Sequence, residues 1–187
     1  SFIMKNKKQI NKDLVATKSL KDSVKIDLYD DLDEVMKLKK VIFDIYSKNK
    51  DSKILILGRT NRVINELYND SDLIDSIGTK LVYKGYNEIK IDAMTIHKSK
   101  GLTYDEVILL GLTSGFPNNK RGFWMLNVFR NEDVNEGISF AEERRVFYVA
   151  MTRTLNHLYM FVPKDVVKRS TYIKEICEII ANSTVDK

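Results

Sequence analysis

Residues 89–110 read IKIDAMTIHKSKGLTYDEVILL and place a short basic turn between two apolar segments. In the first segment, apolar side chains recur at alternate positions from Ile89 onward, which predicts a strand over 89–95 with one buried face. The second segment contains the continuous apolar run 107–110, which is typical of a strand buried on both faces. The turn between them, 97–101, is basic and contains a glycine, a combination suited to binding an anion or a nucleic acid.

The rest of the chain continues this alternation of strands and helices. We predict further strands over 24–29, 54–57, 80–83, 106–112 and 156–162, and helices over 2–16, 31–49, 61–69, 140–154 and 166–181. Strands that alternate with helices indicate an α/β fold in which helices cover both faces of a parallel sheet. Residues 113–138 contain several turn-forming residues, and we predict an irregular insert there. A chain of 187 residues without linkers or repeats is expected to form one domain, 1–187.

Residues 142–153 read EERRVFYVAMTR and have the pattern of a helix. Ser139, with Glu142 three residues later, predicts a capping box and a helix that starts at about residue 140. Apolar residues recur at helical spacing, and Arg153 lies one turn beyond the last of them. An arginine held beside a packed helix face can present its guanidinium to a phosphate in bidentate geometry. The pattern alone leaves open a solvated surface helix whose arginines pair with its own glutamates.

Three segments resemble motifs of superfamily 1 DNA helicases of the UvrD/Rep type, and they occur in that family's order. Residues 55–61, LILGRTN, resemble motif IVa; residues 95–102, TIHKSKGL, resemble motif V; and residues 142–153 resemble motif VI. Residues 111–117, GLTSGFP, are similar to the helicase IV branch of the family. Stretches within 2–12 resemble the region just after motif IV, so the resemblance covers nearly the whole chain.

The resemblance implies a RecA-like fold and the second motor domain of an ATP-dependent 3′→5′ DNA helicase. Arg153 would be the arginine finger that reaches the γ-phosphate of ATP and stabilises the transition state. Gly101 would let the backbone turn sharply beside the nucleotide. Contacts to single-stranded DNA, mainly to its phosphates, would come from Arg59, Asn61, Thr95, His97 and Lys98. Considered by itself, His97 would be an ordinary hydrogen-bonded turn residue.

The chain departs from the family pattern at Thr103, where UvrD-type motif V usually has a glutamate that holds the ribose. The threonine side chain is too short to make the same contact. The interval between Asn61 and Thr95 is also too short for the 2B-type domain that is inserted in UvrD and Rep. This absence of a 2B insertion favours the helicase IV branch.

The chain contains no Gly-x-x-x-x-Gly-Lys-Ser/Thr P-loop and no acidic pair after a strand that could hold Mg²⁺. The resemblance places these parts on a first motor domain, upstream in the same protein, which would hold most of the ATP and the Mg²⁺. The chain alone is therefore predicted to hydrolyse no ATP.

Composition agrees with a protein that binds polyanions, because the formal net charge is +5 and the isoelectric point is about 9.1. The single cysteine, Cys177, excludes a disulfide framework. The two histidines, His97 and His157, do not have metal-ligand spacing, so no metal site is predicted in this chain. No stretch approaches 18 apolar residues and no signal peptide is evident, which predicts a cytoplasmic protein without a membrane span.

Two other functions remain open. The first is a helicase-like ATPase that remodels a protein complex such as RNA polymerase and has lost DNA unwinding. Retained DNA contacts at Arg59, Asn61 and His97 favour the helicase over this alternative. In the alternative, Phe123 and Trp124 of the predicted insert would be candidate aromatic anchors for a protein partner. The second is a basic α/β module without a motor role.

Overall fold

The computed structural model describes residues 23–69, 74–77, 80–83, 86–117 and 138–185. The predicted helix over 2–16 and most of the predicted insert, including Phe123 and Trp124, lie outside these ranges. Within them, no helix is both long enough and apolar enough to cross a membrane.

Seven strands and four helices occur in the described part of the chain. In order they are β1 (Val24–Tyr29), α1 (Glu34–Lys48), β2 (Ile54–Gly58), α2 (Asn61–Asn69), β3 (Ile74–Ile77), β4 (Lys80–Tyr83), β5 (Tyr86–Thr95), β6 (Tyr104–Leu110), α3 (Ile138–Met151), β7 (Thr154–Pro163) and α4 (Thr171–Val185). The strands form one sheet in the order β1-β7-β6-β2-β5-β4-β3. The first five strands in this order are parallel to one another. The α/β fold with a parallel sheet is thus confirmed.

Two hydrophobic clusters lie on opposite faces of the sheet. The central strand β2 contributes to both, since Ile54 and Ile56 pack with α1 and α2 while Leu55 and Leu57 pack with α3 and α4. Each such fully buried aliphatic side chain contributes about 1.5–3 kcal/mol to folding. Because helices cover both faces, a functional site can lie only at the two ends of the sheet, where the strands begin or where they end.

The far edge of the sheet differs from the prediction of a purely parallel arrangement. β4 pairs antiparallel with β5, and β3, which was not predicted, pairs antiparallel with β4. The intervals between these strands, 78–79 and 84–85, contain only a pair of residues each. A connection of two residues is a hairpin turn, which joins antiparallel neighbours.

Several predicted boundaries are wrong. α4 begins at Thr171 rather than 166, because Ser170 Oγ accepts a hydrogen bond from the Tyr172 backbone N–H at 3.2 Å and acts as the N-terminal cap. α3 spans Ile138–Met151 rather than 140–154, so it starts before Ser139 and takes over the last residue of the predicted insert. Thr152 and Arg153 form a turn, after which β7 begins.

Phe116, in the first part of the predicted insert, belongs to the core. Phe116 is 1% exposed and packs with Phe147 of α3 and Tyr172 of α4 at ring centroid distances of 5.5 and 5.8 Å. Aromatic pairs at this separation add to the free energy of area burial. The segment after β6 thereby fixes both helices of one face against the sheet.

Candidate functional site

The short connection between β5 and β6, residues 96–103, runs from the carboxyl end of β5 to the amino end of β6. At its start, Thr95 pairs with Gly58 at the carboxyl end of β2. At its end, the Tyr104 backbone N–H donates to the Arg153 carbonyl at 2.9 Å. Between them Ser99 is fully buried and its hydroxyl donates to the Ile96 carbonyl at 2.8 Å. The connection is therefore a packed part of the structure, and it carries residues of both predicted sites.

The five predicted DNA contacts lie together at the carboxyl ends of β2 and β5. Arg59 follows β2 directly, and Asn61 is the first residue of α2. The Lys98 backbone N–H donates to the Thr95 carbonyl at 3.0 Å, which folds the basic turn back on the end of β5. Asn61, His97 and Lys98 are exposed, whereas Thr95 is buried. Four of these side chains, including the partly exposed Arg59, thus have access to solvent.

Arg59 is held by Glu143 of α3, a partner that the sequence did not predict. Its Nε donates to Glu143 Oε2 at 2.8 Å, and its Nη2 donates to the other carboxylate oxygen. The guanidinium also lies 5.9 Å from the Phe116 ring centroid. Hydrogen bonding to Glu143 raises the pKa of Arg59 above its ordinary value, although burial opposes this. Arg59 therefore serves as a bidentate clamp between the end of β2 and α3.

Arg144, the residue after Glu143 on α3, points to α4. Its side chain is 1% exposed, and its Nη1 and Nη2 donate to the Glu175 carboxylate at 2.5 and 3.1 Å. Glu143 is also buried. The interpretation of 142–153 as a solvated helix with pairs among its own side chains is therefore wrong for Glu143 and Arg144.

Arg153 lies just beyond the end of α3, at the amino ends of β6 and β7. Its Nε donates to the Val149 carbonyl at 2.9 Å, its Nη1 to the Leu102 carbonyl at 3.0 Å and its Nη2 to Thr152 Oγ1 at 3.1 Å. These bonds cap the helix end and tie it to the connection between β5 and β6. A guanidinium has five N–H donors, so these three bonds do not exhaust it.

Gly101 lies next to Leu102, which brings it near Arg153 in the chain path. Its φ of +88° is in the left-handed region that glycine adopts at no steric cost, and its surroundings are open. Thr103, directly before β6, is exposed at the same end of the sheet. The predicted nucleotide contacts, Gly101 and Arg153, are thus brought together, apart from the predicted DNA contacts.

A cavity of about 440 Å³ opens beside the amino ends of β2 and β6 and was not predicted. It is lined by Thr103, Tyr104 and Asp92 together with lysines that include Lys50 and Lys53. The Tyr104 hydroxyl donates to Asp92 Oδ2 at 2.8 Å, and burial, with the Asp92 carboxylate as a second cause, raises the pKa of Tyr104 to about 12. Asp92 occupies a polar position of an alternating strand, which by itself gives no signal of a site.

A second crevice, of about 550 Å³, lies beside Arg59 at the carboxyl ends of the strands. Its lining includes Glu34 and Glu66 from the first turn of α1 and from α2, and also Phe116. Burial raises the pKa of the Glu34 carboxyl, and Glu66 adds to this effect. In α/β sheets ligands bind in crevices outside the carboxyl ends of the strands. Among the described residues, no group of three or more His, Cys, Asp or Glu side chains could hold a metal ion.

Comparison with known proteins gives consistent matches. The family model of the UvrD-like helicase C-terminal domain matches residues 1–165. The chain is 40% identical over 82 residues to the putative ATP-dependent DNA helicase YjcD of Bacillus subtilis, which covers 42% of this chain and 10% of that protein. It is 27% identical over 156 residues to the ATP-dependent DNA helicase Rep of Buchnera aphidicola, covering 80% and 22%. It is 38% identical over 81 residues to DNA helicase IV of Escherichia coli, covering 42% and 12%. The chain thus spans a tenth to about a fifth of the length of these relatives.

Proposed function

This chain belongs to the UvrD-like helicase C-terminal domain family, and we propose that it is the second motor domain of an ATP-dependent 3′→5′ DNA helicase. In this role it supplies an arginine finger to ATP and contacts to single-stranded DNA. The first motor domain, with its P-loop, holds most of the ATP and the Mg²⁺. The relatives that carry the names of ATP-dependent DNA helicases support the reaction, and their greater length is consistent with a missing partner domain.

The observation that supports this proposal best is the arrangement of the two candidate sites on one packed connection. Residues 96–103 begin at the carboxyl ends of β2 and β5, where Arg59 and Thr95 lie. They end beside Arg153. A translocating motor must change its grip on DNA when its nucleotide changes. A connection whose Ile96 and Ser99 are fully buried transmits displacement rather than absorbing it.

On the nucleotide side, the chemistry assigned to this chain is electrostatic. Arg153 donates to backbone carbonyls and a hydroxyl in the structure. A γ-phosphate is a stronger acceptor, because charge-assisted bidentate hydrogen bonds are roughly twice as strong as neutral ones. Mg²⁺, when bound with ATP, neutralises charge on the β- and γ-phosphates. Arg153 adds positive charge where the transition state spreads negative charge over the transferred group.

On the DNA side, the contacts are directed to phosphates. Arg59, His97 and Lys98 are basic or can be protonated, and Asn61 begins α2, where helix N–H groups are available to an anion. Phosphate contacts of this kind carry little sequence information and weaken as salt rises. The domain is therefore proposed to bind single strands weakly and with little sequence preference.

The test is binding of a fluorescently labelled oligo-dT to the 187-residue chain, followed by anisotropy at low and moderate salt. We expect a Kd of micromolar order or weaker that rises steeply between about 50 and 200 mM salt. Arg59→Ala combined with His97→Ala should abolish binding, whereas Lys174→Ala, an exposed lysine on α4, should change it little. Binding that survives the double change would place the DNA path elsewhere and favour the ATPase that remodels a protein complex.

A further inference from the structure

Arg59 has two competing anionic partners if the proposed function is correct. In the structure Glu143 occupies the Nε and Nη2 side of the Arg59 guanidinium. Its two carboxylate oxygens accept one hydrogen bond each from these nitrogens. In the proposed function the same guanidinium meets a DNA phosphate. Carboxylate and phosphate present the same pair of oxygens to an arginine fork, so a phosphate that takes Nε and Nη2 displaces Glu143 from them.

The burial of the pair determines which partner can move. The Glu143 side chain is 10% exposed and the Arg59 side chain is 24% exposed. Glu143 is on α3, which packs against the sheet. Arg59 follows the last residue of β2 and lines the crevice at the carboxyl ends of the strands. An incoming strand can therefore reach Arg59 without entering the core, whereas Glu143 stays on its helix.

Glu143 lies on the helix that leads to Arg153 at the other end of the sheet. α3 runs from Ile138 to Met151, and Arg153 follows in the next turn. At 1.5 Å per residue, roughly 12 Å of helix separates Glu143 from Met151, the last residue of α3. Glu143 and Arg153 are thus carried by one helix and the turn that follows it.

We propose that Glu143 is an intramolecular competitor of DNA, which holds Arg59 in the absence of a strand and gives it up to a phosphate when a strand binds. The Arg59–Glu143 pair then limits DNA affinity in the free domain. This inference rests on the proposed function, because it takes Arg59 as a DNA contact. It assigns Glu143 a regulatory role that the motif pattern alone does not suggest.

The first experiment compares Glu143→Gln with Glu142→Gln in the 187-residue chain, using the oligo-dT anisotropy assay. Both changes remove one negative charge close to Arg59, since Glu142 also acts on Arg59 through space. Only Glu143 holds the guanidinium. We expect Glu143→Gln to tighten binding by about fivefold, the equivalent of one partly exposed ion pair. Glu142→Gln should produce a clearly smaller change.

The gain must also depend on Arg59. In Glu143→Gln combined with Arg59→Ala, the tighter binding should disappear. Equal affinities for the Glu143→Gln chain and the wild type, or a gain that persists without Arg59, would overturn the inference. In that event the proposed function still stands as long as the wild-type chain binds DNA through Arg59 and His97. Failure of the wild-type chain to bind any single strand would overturn both.

A measurement on the wild-type chain covers the case in which Glu143→Gln does not fold. Nitrogen-15 NMR of arginine Nε groups and carbon-13 NMR of glutamate carboxyls report the two ends of the pair separately. We expect the Arg59 Nε and Glu143 carboxyl signals to shift together when oligo-dT is added, while the Glu175 carboxyl signal stays in place. Unchanged Arg59 and Glu143 signals at saturating DNA would mean that the pair is permanent and that Glu143 is no competitor.

Discussion

At the scale of single residues, Arg153 has a structural contribution and a proposed chemical one. Its guanidinium donates to the carbonyls of Val149 and Leu102, which joins the end of α3 to the turn before β6. Removal of these bonds by Arg153→Ala should destabilise the isolated chain by about 1–2 kcal/mol. Urea unfolding measures this loss. Arg145→Ala, which removes an exposed arginine from the same helix, is the control and should cost less than about 0.5 kcal/mol.

The chemical contribution of Arg153 is measured in the full-length protein. Arg153→Ala should lower kcat for ATP hydrolysis by roughly 10³, the lower end of the range for arginine fingers. ATP affinity should change far less, because the P-loop of the first motor domain carries most of the binding. DNA-stimulated steady-state ATPase, with a separate nucleotide-binding measurement, distinguishes the two quantities. Wild-type turnover in the variant would confine Arg153 to the hydrogen bonds described above.

Glu34 leads to a prediction about pH. Its carboxyl has a raised pKa because burial disfavours the charged form, and Glu66 adds repulsion, while the hydrogen bond with Tyr29 opposes the shift. A folded-state pKa above the ordinary value of 4.5 means that the native state binds the proton more tightly than the unfolded state. Stability from this group is therefore present below pH 4.5 and is lost as pH rises through the folded pKa.

Glu34→Gln should accordingly reduce the loss of stability as pH rises above 4.5. The measurement is the urea midpoint of the wild type and the variant at several pH values from about 4.5 to 8. Glu178→Gln, at an exposed position on α4, is the control and should leave the slope unchanged. A slope that is the same with and without Glu34 would show that the carboxyl is solvated in the folded chain.

At the scale of elements, α3 and α4 are joined through a buried charge. Arg144 donates to Glu175 through two nitrogens, and its guanidinium lies 5.0 Å from the Tyr172 ring centroid. Glu175→Ala leaves the buried guanidinium without this carboxylate. We expect a loss of about 2–4 kcal/mol, since removing one member of a buried pair is far more costly than replacing both. The control is Lys174→Ala.

Chemical denaturation and tryptophan-independent far-UV circular dichroism measure the loss in Glu175→Ala. Replacing both partners, Arg144→Met with Glu175→Leu, should recover much of the stability, because two apolar side chains do not pay the desolvation of a lone charge. A double variant that is less stable than Glu175→Ala would show that Arg144 is needed for contacts other than this pair.

Elements were predicted best where the local pattern was sufficient. The continuous apolar run of β2 and the spacing within α2 predicted both elements, and α2 was predicted with its observed ends. Helix ends that depend on side-chain hydrogen bonds to the backbone were predicted wrongly. The turn before α4, for example, is fixed by Arg169, whose Nε donates to the Pro163 carbonyl at 2.7 Å. β3 was missed because its sequence, IDSI, does not alternate apolar and polar residues, whereas β4, equally short, was predicted.

The candidate site shows the same division. Motif resemblance indicated Arg59, Gly101 and Arg153, and the structure brings them to two edges of one sheet. It could not indicate that Glu143 holds Arg59, because the partners lie 84 positions apart and the pattern of 142–153 fits several partner choices. Ion pairs between elements depend on the packing of the whole core, which periodicity does not describe.

At the scale of the whole molecule, the proposed function assigns to the described residues one side of a nucleotide site. The arginine that would stabilise the transition state is present, but the sequence contains no glycine-rich phosphate-binding loop. Backbone N–H groups of such a loop, with its lysine, are what hold the β- and γ-phosphates and place Mg²⁺ in P-loop enzymes. Positive charge on Arg153 alone leaves the attacking water and the phosphates without a fixed geometry.

We therefore predict that the 187-residue chain hydrolyses no ATP, with or without single-stranded DNA, whereas it still binds the strand. The measurement is phosphate release at saturating ATP, with the Arg153→Ala chain as a control for contaminating ATPases. The full-length protein under the same conditions should be stimulated by DNA, because positioning of the phosphates and stabilisation of the transition state are then both supplied. Phosphate release by the isolated chain that is lost in Arg153→Ala would mean that this domain holds ATP by itself. The cavity lined by Asp92, Thr103 and Tyr104 would then be the place to look for the nucleotide.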